Sequence, residues 1–287
     1  MVEAARDAAF YSREYNNRQL FPDHPRVLAR WAEESAMARN TMTCTLNVRY
    51  GEMPGETMDL FPARMTGDGT CMMFIHGGYW RSLDKSDHSF LAPPWVGGGV
   101  SVAVVNYDLC PRVRIEDIVK QILRASRWLY LHCEDYGMDQ DRLYVAGHSA
   151  GGHLAAMMMA AHWPVYDQQL PKDLFKGGLA VSGIYDMRPL LLADFLQQDL
   201  RLDEESAMRL SPAFLPPATR MPVATCVGGN ESSEFHRQAT LLKDRWRSAV
   251  AYEIPMPGTN HFTVLDALAD RGSALFAGAR KMMKLDK

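Results

Sequence analysis

The chain has 287 residues, of which 47% are hydrophobic and 23% charged, with a formal net charge of −3. That composition supplies a core for one large α/β domain and excludes a disordered chain. There is no Lys/Arg run, so neither nucleic acid nor an anionic membrane is an expected partner. No apolar stretch approaches the ~18 residues of a membrane span. Residues 1–17 carry Glu3, Asp7 and Glu14 and have no apolar centre, which is not a signal-peptide pattern. Cys44, Cys71, Cys110, Cys133 and Cys226 are scattered and never in C-x-x-C spacing. They read as buried thiols of a reducing compartment, which places the protein in the cytoplasm.

In chain order, residues 1–40 are expected to be helical. Val27, Leu28, Trp31 and Met37 fall near helical spacing, and residues 1–42 read as an arm packed on a main domain of residues 43–287. Residues 43–50 alternate polar and apolar side chains, as in a half-buried strand. A turn at 51–55 leads into a returning strand at 57–62. Continuous apolar runs at 71–75 and 100–107 have the character of central parallel strands. An amphipathic helix is expected over 115–136, then a strand over 142–146, a helix over 154–161 and a short strand over 178–184. Residues 189–217 hold leucines, acids and prolines with little strand character, and read as a cap segment. A strand (222–227), a helix (235–249), a strand (251–256) and a final helix (262–283) complete the chain. The alternation implies a mostly parallel sheet covered by helices on both faces.

The chemistry-bearing stretches sit between these elements. Gly147-His148-Ser149-Ala150-Gly151 lies on a strand-to-helix turn, the context of a nucleophile elbow, with Ser149 as the nucleophile. The turn aims the Ala150 N–H, at the start of a helix, at the space beside the serine hydroxyl. His76-Gly77-Gly78-Tyr79-Trp80 follows the strand at 71–75. Glycines at the carboxyl end of a parallel strand let backbone N–H groups face a ligand crevice. The N–H groups of Gly78 and Tyr79, with that of Ala150, are therefore the expected oxyanion hole. The base should follow the last strand, where His261 stands. Five of the other eight histidines have specific alternative readings: His148 and His153 as packing residues, His76 as a brace for the glycine loop, and His162 and His236 as ordinary helix residues. The spacing of His148 and His153 does not fit a helical zinc pair, and no metal or organic cofactor is expected. The third member is a carboxylate beyond the strand at 222–227, either Glu231 or Glu234. Glu231 lies in the loop and is preferred; Glu234 falls in the first turn of a helix, where an acid complements the dipole. Trp80, Tyr185 and Met187, just past strand ends with Asp186 between the last two, are the expected substrate-facing residues.

The order Ser149, Glu231, His261 is that of α/β-hydrolases. The His-Gly-Gly-Tyr-Trp stretch, the Gly-His-Ser-Ala-Gly-Gly-His elbow, the stretch from Glu231 to Gln238 and Asn260-His261-Phe262 resemble the kynurenine formamidase (arylformamidase) branch of that fold. This branch is related to hormone-sensitive-lipase-like esterases, whose oxyanion motif is His-Gly-Gly-Gly. The resemblance runs from about Tyr11 to the last helix. It departs at Glu231, where several formamidases carry Asp. It implies a serine hydrolase acting on small-acyl or aryl esters through an acyl-enzyme, with N-formylkynurenine hydrolysis as the alternative activity. The expected partner is a small-molecule ester or formamide, and a homodimer is compatible with the reading. The competing class is a non-catalytic binding protein on the same fold. Such a protein typically loses the nucleophile or base, and this chain retains a candidate for each.

Overall fold

A computed structural model describes residues 6–63 and 67–285. Residues 1–5 of the expected arm lie outside the described residues. The helices are α1 (Ala8–Tyr15), α2 (Asn17–Leu20), α3 (His24–Thr41), α4 (Ala92–Val96), α5 (Ile115–His132), α6 (Ala150–Ala160), α7 (Trp163–Tyr166), α8 (Asp194–Leu200), α9 (Glu204–Arg209), α10 (Ser233–Arg245), α11 (Thr263–Ala269) and α12 (Ala274–Met282). The strands are β1 (Thr45–Arg49), β2 (Thr57–Phe61), β3 (Cys71–Ile75), β4 (Ser101–Val105), β5 (Leu143–His148), β6 (Gly178–Val181), β7 (Val223–Gly228) and β8 (Val250–Met256).

The strands form one sheet in the order β1-β2-β4-β3-β5-β6-β7-β8. β1 and β2 are an antiparallel hairpin, and β2 joins β4 antiparallel. From β4 through β8 every pairing is parallel. The period-two pleat sends alternate side chains to opposite faces. Met73, Ile75, Ala103, Val105, Val145 and Ala180 enter one core, packed under α5, α6 and α10. Met72, Phe74, Val102, Val104, Ala146 and Leu179 enter the other, packed under α3, α4, α11 and α12. Both faces are buried, which is why β3 and β4 read as unbroken apolar runs.

The amino-terminal helices touch both cores. Tyr15 belongs to the first and Trp31 to the second. Tyr15 packs edge-on against Phe235 of α10, and Trp31 donates from its indole N–H to Asp266 of α11 at 2.6 Å.

Two elements differ from the sequence reading. Along residues 43–50 the apolar Cys44, Val48 and Tyr50 are covered as read, but Leu46 is exposed, because β1 is the sheet's edge strand. The final helix is two helices. Asp270 turns back to accept the Gly272 N–H at 2.9 Å, and Ser273 caps α12 by accepting the Phe276 N–H at 2.9 Å. The apolar period runs across the break because α11 and α12 face the same core. Residues 189–217 hold α8, α9 and short 3-10 turns, with no strand. Among the described residues no helix is long and apolar enough to cross a membrane.

Candidate active site

Ser149 stands between β5 and α6 with φ 57° and ψ −119°, a conformation an ordinary residue adopts only when its surroundings impose it. The imposition is steric. A Cβ on Gly147 would lie 2.0 Å from the Gly151 carbonyl oxygen, and one on Gly151 would lie 1.9 Å from that of Ile75. Only glycine allows the chain to fold this tightly onto itself. The strained turn lifts Ser149 above β5 and starts α6 at Ala150, whose N–H has no intrahelical acceptor.

The turn between β8 and α11 brings His261 to Ser149. His261 Nε2 is 3.0 Å from Ser149 Oγ, and His261 Nδ1 is 2.6 Å from Glu231 Oε2. A carboxylate can only accept, so the ring proton sits on Nδ1 and the Nε2 lone pair faces the serine hydroxyl. Glu231 is fixed at its other oxygen. Oε1 accepts from Ser182 Oγ at 2.5 Å and from the Gly228 N–H at 2.7 Å. All three of Ser149, His261 and Glu231 are buried. Ser182 is a residue the sequence reading missed. Its only signal was its place just past β6, beside the strand that delivers Glu231.

Glu234 occupies the first turn of α10 and does not join this chain. It accepts from Tyr15 Oη at 2.8 Å and from the Arg237 guanidinium at 2.8 Å, and is itself buried.

The glycine loop after β3 also carries strain. Gly78 has φ 104°, Tyr79 φ 52° and Trp80 φ 56°. Two consecutive non-glycine residues in the left-handed region cost about 1–3 kcal/mol each unless the surroundings over-determine them. Here the Arg81 and Ser82 N–H groups both donate to the Gly78 carbonyl, at 3.1 and 3.0 Å. Tyr79 Oη donates to the Tyr15 carbonyl at 2.5 Å, and the Cys110 N–H to the Trp80 carbonyl at 2.8 Å. His76 braces the loop as expected, with Nδ1 2.8 Å from the Gly77 carbonyl oxygen and its ring stacked on Tyr107. Among the described residues no backbone carbonyl accepts the N–H of Gly78 or Tyr79.

These elements enclose a cavity of about 310 Å3. It is lined by Ser149, His261, His148, Gly78, Tyr79, Arg81, Ser82, Leu83, Phe195 and Phe262 and, from the amino-terminal helices and the residue between them, by Asn16, Asn17, Arg18, Leu28 and Trp31. Trp80, Tyr185 and Met187 are not among its walls, which corrects the sequence reading of all three as substrate-facing. The left-handed turn at Tyr79-Trp80 drives Trp80 inward, fully buried and edge-on to His153. The Tyr185 and Asp186 N–H groups both donate to Gln238, and Met187 N–H donates to Ser211, which draws that segment into the core. His148 does pack structurally, but its ring also reaches the cavity wall. Burial and the neighbouring His261 hold it well below the usual histidine pKa, so it is neutral.

A family model described as BD-FAE matches residues 58–189. The kynurenine formamidase of Salmo salar is 34% identical over 88% of this chain and 86% of its own length. That of Danio rerio is also 34% identical, over 86% and 84%. The chain belongs to the kynurenine formamidase family. A crystal structure from Silicibacter sp. TM1040 superposes with a TM-score of 0.81 at 32% identity, covering 92% of this chain and 97% of that one. An esterase from Pyrobaculum calidifontis shares the fold at 17% identity, with a TM-score of 0.69 and 93% coverage of each chain. This member of the kynurenine formamidase family is an α/β-hydrolase-fold enzyme, a serine hydrolase acting on small molecules.

Proposed function

We propose that Ser149, His261 and Glu231 are the catalytic triad and that the N–H groups of Gly78, Tyr79 and Ala150 are the oxyanion hole. The observation that carries the proposal is the unbroken chain from Ser149 Oγ through His261 to Glu231, at 3.0 and 2.6 Å. Ser149 Oγ attacks the substrate carbonyl while His261 Nε2 takes its proton. Glu231 holds the ring tautomer and stabilises the imidazolium. The tetrahedral oxyanion is met by donors fixed before reaction, each worth about 3–4 kcal/mol. His261 then passes its proton to the departing alkoxide, phenoxide or amine, leaving an acyl-serine. Water, deprotonated by the same histidine, releases the acid and restores Ser149.

The substrate we assign is a small-acyl or aryl ester, since the cavity is of modest volume and rimmed by Tyr79, Trp31, Phe195 and Phe262. N-formylkynurenine hydrolysis is the second reading, favoured by the 34% identity to two kynurenine formamidases. A kcat/KM panel of phenyl acetate, longer acyl esters and N-formylkynurenine tests both. Preference for long acyl chains sinks the small-pocket assignment. Efficient formamide cleavage with none of phenyl acetate sinks the ester reading. A serine-directed fluorophosphonate that fails to label Ser149 sinks the triad.

The proposal also assigns the enzyme to the cytoplasm, supported by five unpaired thiols, and fractionation checks it. A homodimer is compatible with this reading, and light scattering tests it.

A further inference from the structure

The peptide between Gly78 and Tyr79 presents one of the proposed oxyanion donors, and its plane is set from two ends. Its carbonyl is held within the loop, accepting the Arg81 and Ser82 N–H groups at 3.1 and 3.0 Å. In a planar trans peptide the N–H points the opposite way. Among the described residues no backbone carbonyl accepts that of Tyr79. The other end is the φ of Tyr79, 52°. Glycine holds such an angle readily, whereas a tyrosine leaves it unless something beyond the backbone prevents the rotation.

What prevents it comes from the amino-terminal arm. Tyr79 Oη donates to the Tyr15 carbonyl at 2.5 Å. Tyr15 is the last residue of α1, so its carbonyl has no intrahelical donor, and among the described residues no backbone N–H reaches it. Desolvation raises the pKa of the Tyr79 phenol, which keeps it a donor. Tyr15 is fixed in turn. It is fully buried, its Oη donates to Glu234 Oε2 at 2.8 Å and accepts from Gln238 Nε2 at 2.8 Å. Its ring packs edge-on against Phe235, and the Phe235 ring centre lies 4.5 Å from that of His261. One residue of α1 thus spans from the glycine loop to the helix that follows Glu231.

We propose that the Tyr79 hydroxyl is a positioning group: by bonding the Tyr15 carbonyl it holds Tyr79 in the left-handed region and aims the Tyr79 N–H at the oxyanion, so that the amino-terminal arm completes the oxyanion hole. The assignment rests on the oxyanion-hole reading above. The hydroxyl itself touches no reacting atom. Its loss should therefore act on the transition state, where the oxygen carries charge, and hardly on the ground state, where the carbonyl asks little of the donor. The effect should also run through Tyr15. Whatever loosens the end of α1 loosens the donor.

Tyr79→Phe in the full-length enzyme keeps the ring and its edge-on contact with Phe195, and removes only the bond. Phenyl acetate supplies kcat and KM. Trifluoroacetophenone and acetophenone supply a second readout, the ratio of their inhibition constants, because only the first adds readily to a serine hydroxyl and places an oxyanion in the hole. Tyr79→Phe is expected to lower kcat about tenfold with KM within about twofold, less than the ~10²-fold or more lost when a donor is removed outright. The preference for the trifluoro ketone should shrink by the same factor. Tyr15→Phe should lower both readouts by about threefold, and the double variant should lose no more than Tyr79→Phe alone, since without the bond the arm no longer acts on the loop. Wild-type kcat, an unchanged ketone ratio or a loss confined to KM in folded Tyr79→Phe overturns the positioning role, and so do additive losses in the double variant. If Tyr79→Phe fails to fold, Tyr15→Phe decides: kcat and the ketone ratio falling together support the role, and either one unmoved overturns it. A wild type with no preference for the trifluoro ketone overturns the oxyanion-hole reading instead.

Discussion

His148 Nε2 lies 2.7 Å from the backbone carbonyl oxygen of His261. The residue before the candidate nucleophile thus holds the backbone of the candidate base. Because His148 is buried and neutral, this bond requires its proton to be on Nε2. Two loops far apart in sequence, after β5 and after β8, are registered through one ring.

His148→Phe keeps the ring and removes the donor. It is expected to strand the His261 carbonyl, cost about 1–3 kcal/mol of stability and lower kcat by roughly tenfold through drift of the imidazole. His148→Gln, whose amide reaches a similar distance, should restore part of both. Urea unfolding and phenyl acetate turnover check the pair. A His148→Phe variant with wild-type kcat removes the positioning role.

Ser149→Ala should leave folding intact and lower turnover by several orders of magnitude, leaving the residual catalysis of the oxyanion hole and binding. Purified variant retaining a tenth of wild-type kcat would disprove the nucleophile.

The two glutamates should separate kinetically from structurally. Glu231→Ala removes the group that orients His261 and is expected to cost roughly 10⁴-fold in kcat. It also leaves Ser182 Oγ and the Gly228 N–H without their acceptor. Glu234→Ala takes away the acceptor of Tyr15 Oη and the nearer carboxylate of Arg237, leaving the first with only the Gln238 donor and the second with Asp186 at 3.7 Å, a loss of about 3 kcal/mol of stability. That is more than the first-turn effect expected from sequence. Its kcat should fall less than tenfold, since it touches the site only through Tyr15 and Tyr79. A larger kinetic loss at Glu234 than at Glu231 would reverse the assignment of the acid.

What was legible in the sequence was whatever a strand end determines. Ser149, Glu231 and His261 each sit just past the carboxyl end of a parallel strand, so topology alone brings them to one edge of the sheet. Trp80, Tyr185 and Met187 satisfy the same criterion and are buried, because position past a strand end says nothing about where the next turn points. That depends on the left-handed backbone at Tyr79 and Trp80 and on the Gln238 side chain gathering the Tyr185 and Asp186 N–H groups. Asn17 and Trp31 were not read as cavity wall, for a different reason. Their helices pattern like any amphipathic surface, and only their packing on both sides of the sheet makes them cavity wall.

The last prediction concerns acid. Four histidines are buried and held below the usual histidine pKa, each chiefly by desolvation: His76; His88, pushed down to about 3; His148; and His153, pushed down to about 4. In the unfolded chain each titrates near 6.5. Between those limits the unfolded state binds protons that the folded state refuses, so stability rises with pH there and falls as pH drops. The contribution is fully present above the unfolded value and is lost on descent toward the folded ones. Each group supplies a slope of up to about 1.4 kcal/mol per pH unit. Urea unfolding at pH 7.5, 6, 5 and 4 should therefore show a steep decline beginning near pH 6.5, well above the range where carboxylates titrate. His153→Gln should flatten that slope by close to one proton. It keeps a donor for the Leu210 carbonyl, which His153 Nε2 meets at 2.8 Å, while removing the titration. Stability that stays level down to pH 5 would mean that these rings carry their protons in the folded protein. His148 would then donate from both nitrogens and put a positive charge beside His261, which the neutral-base mechanism does not accommodate.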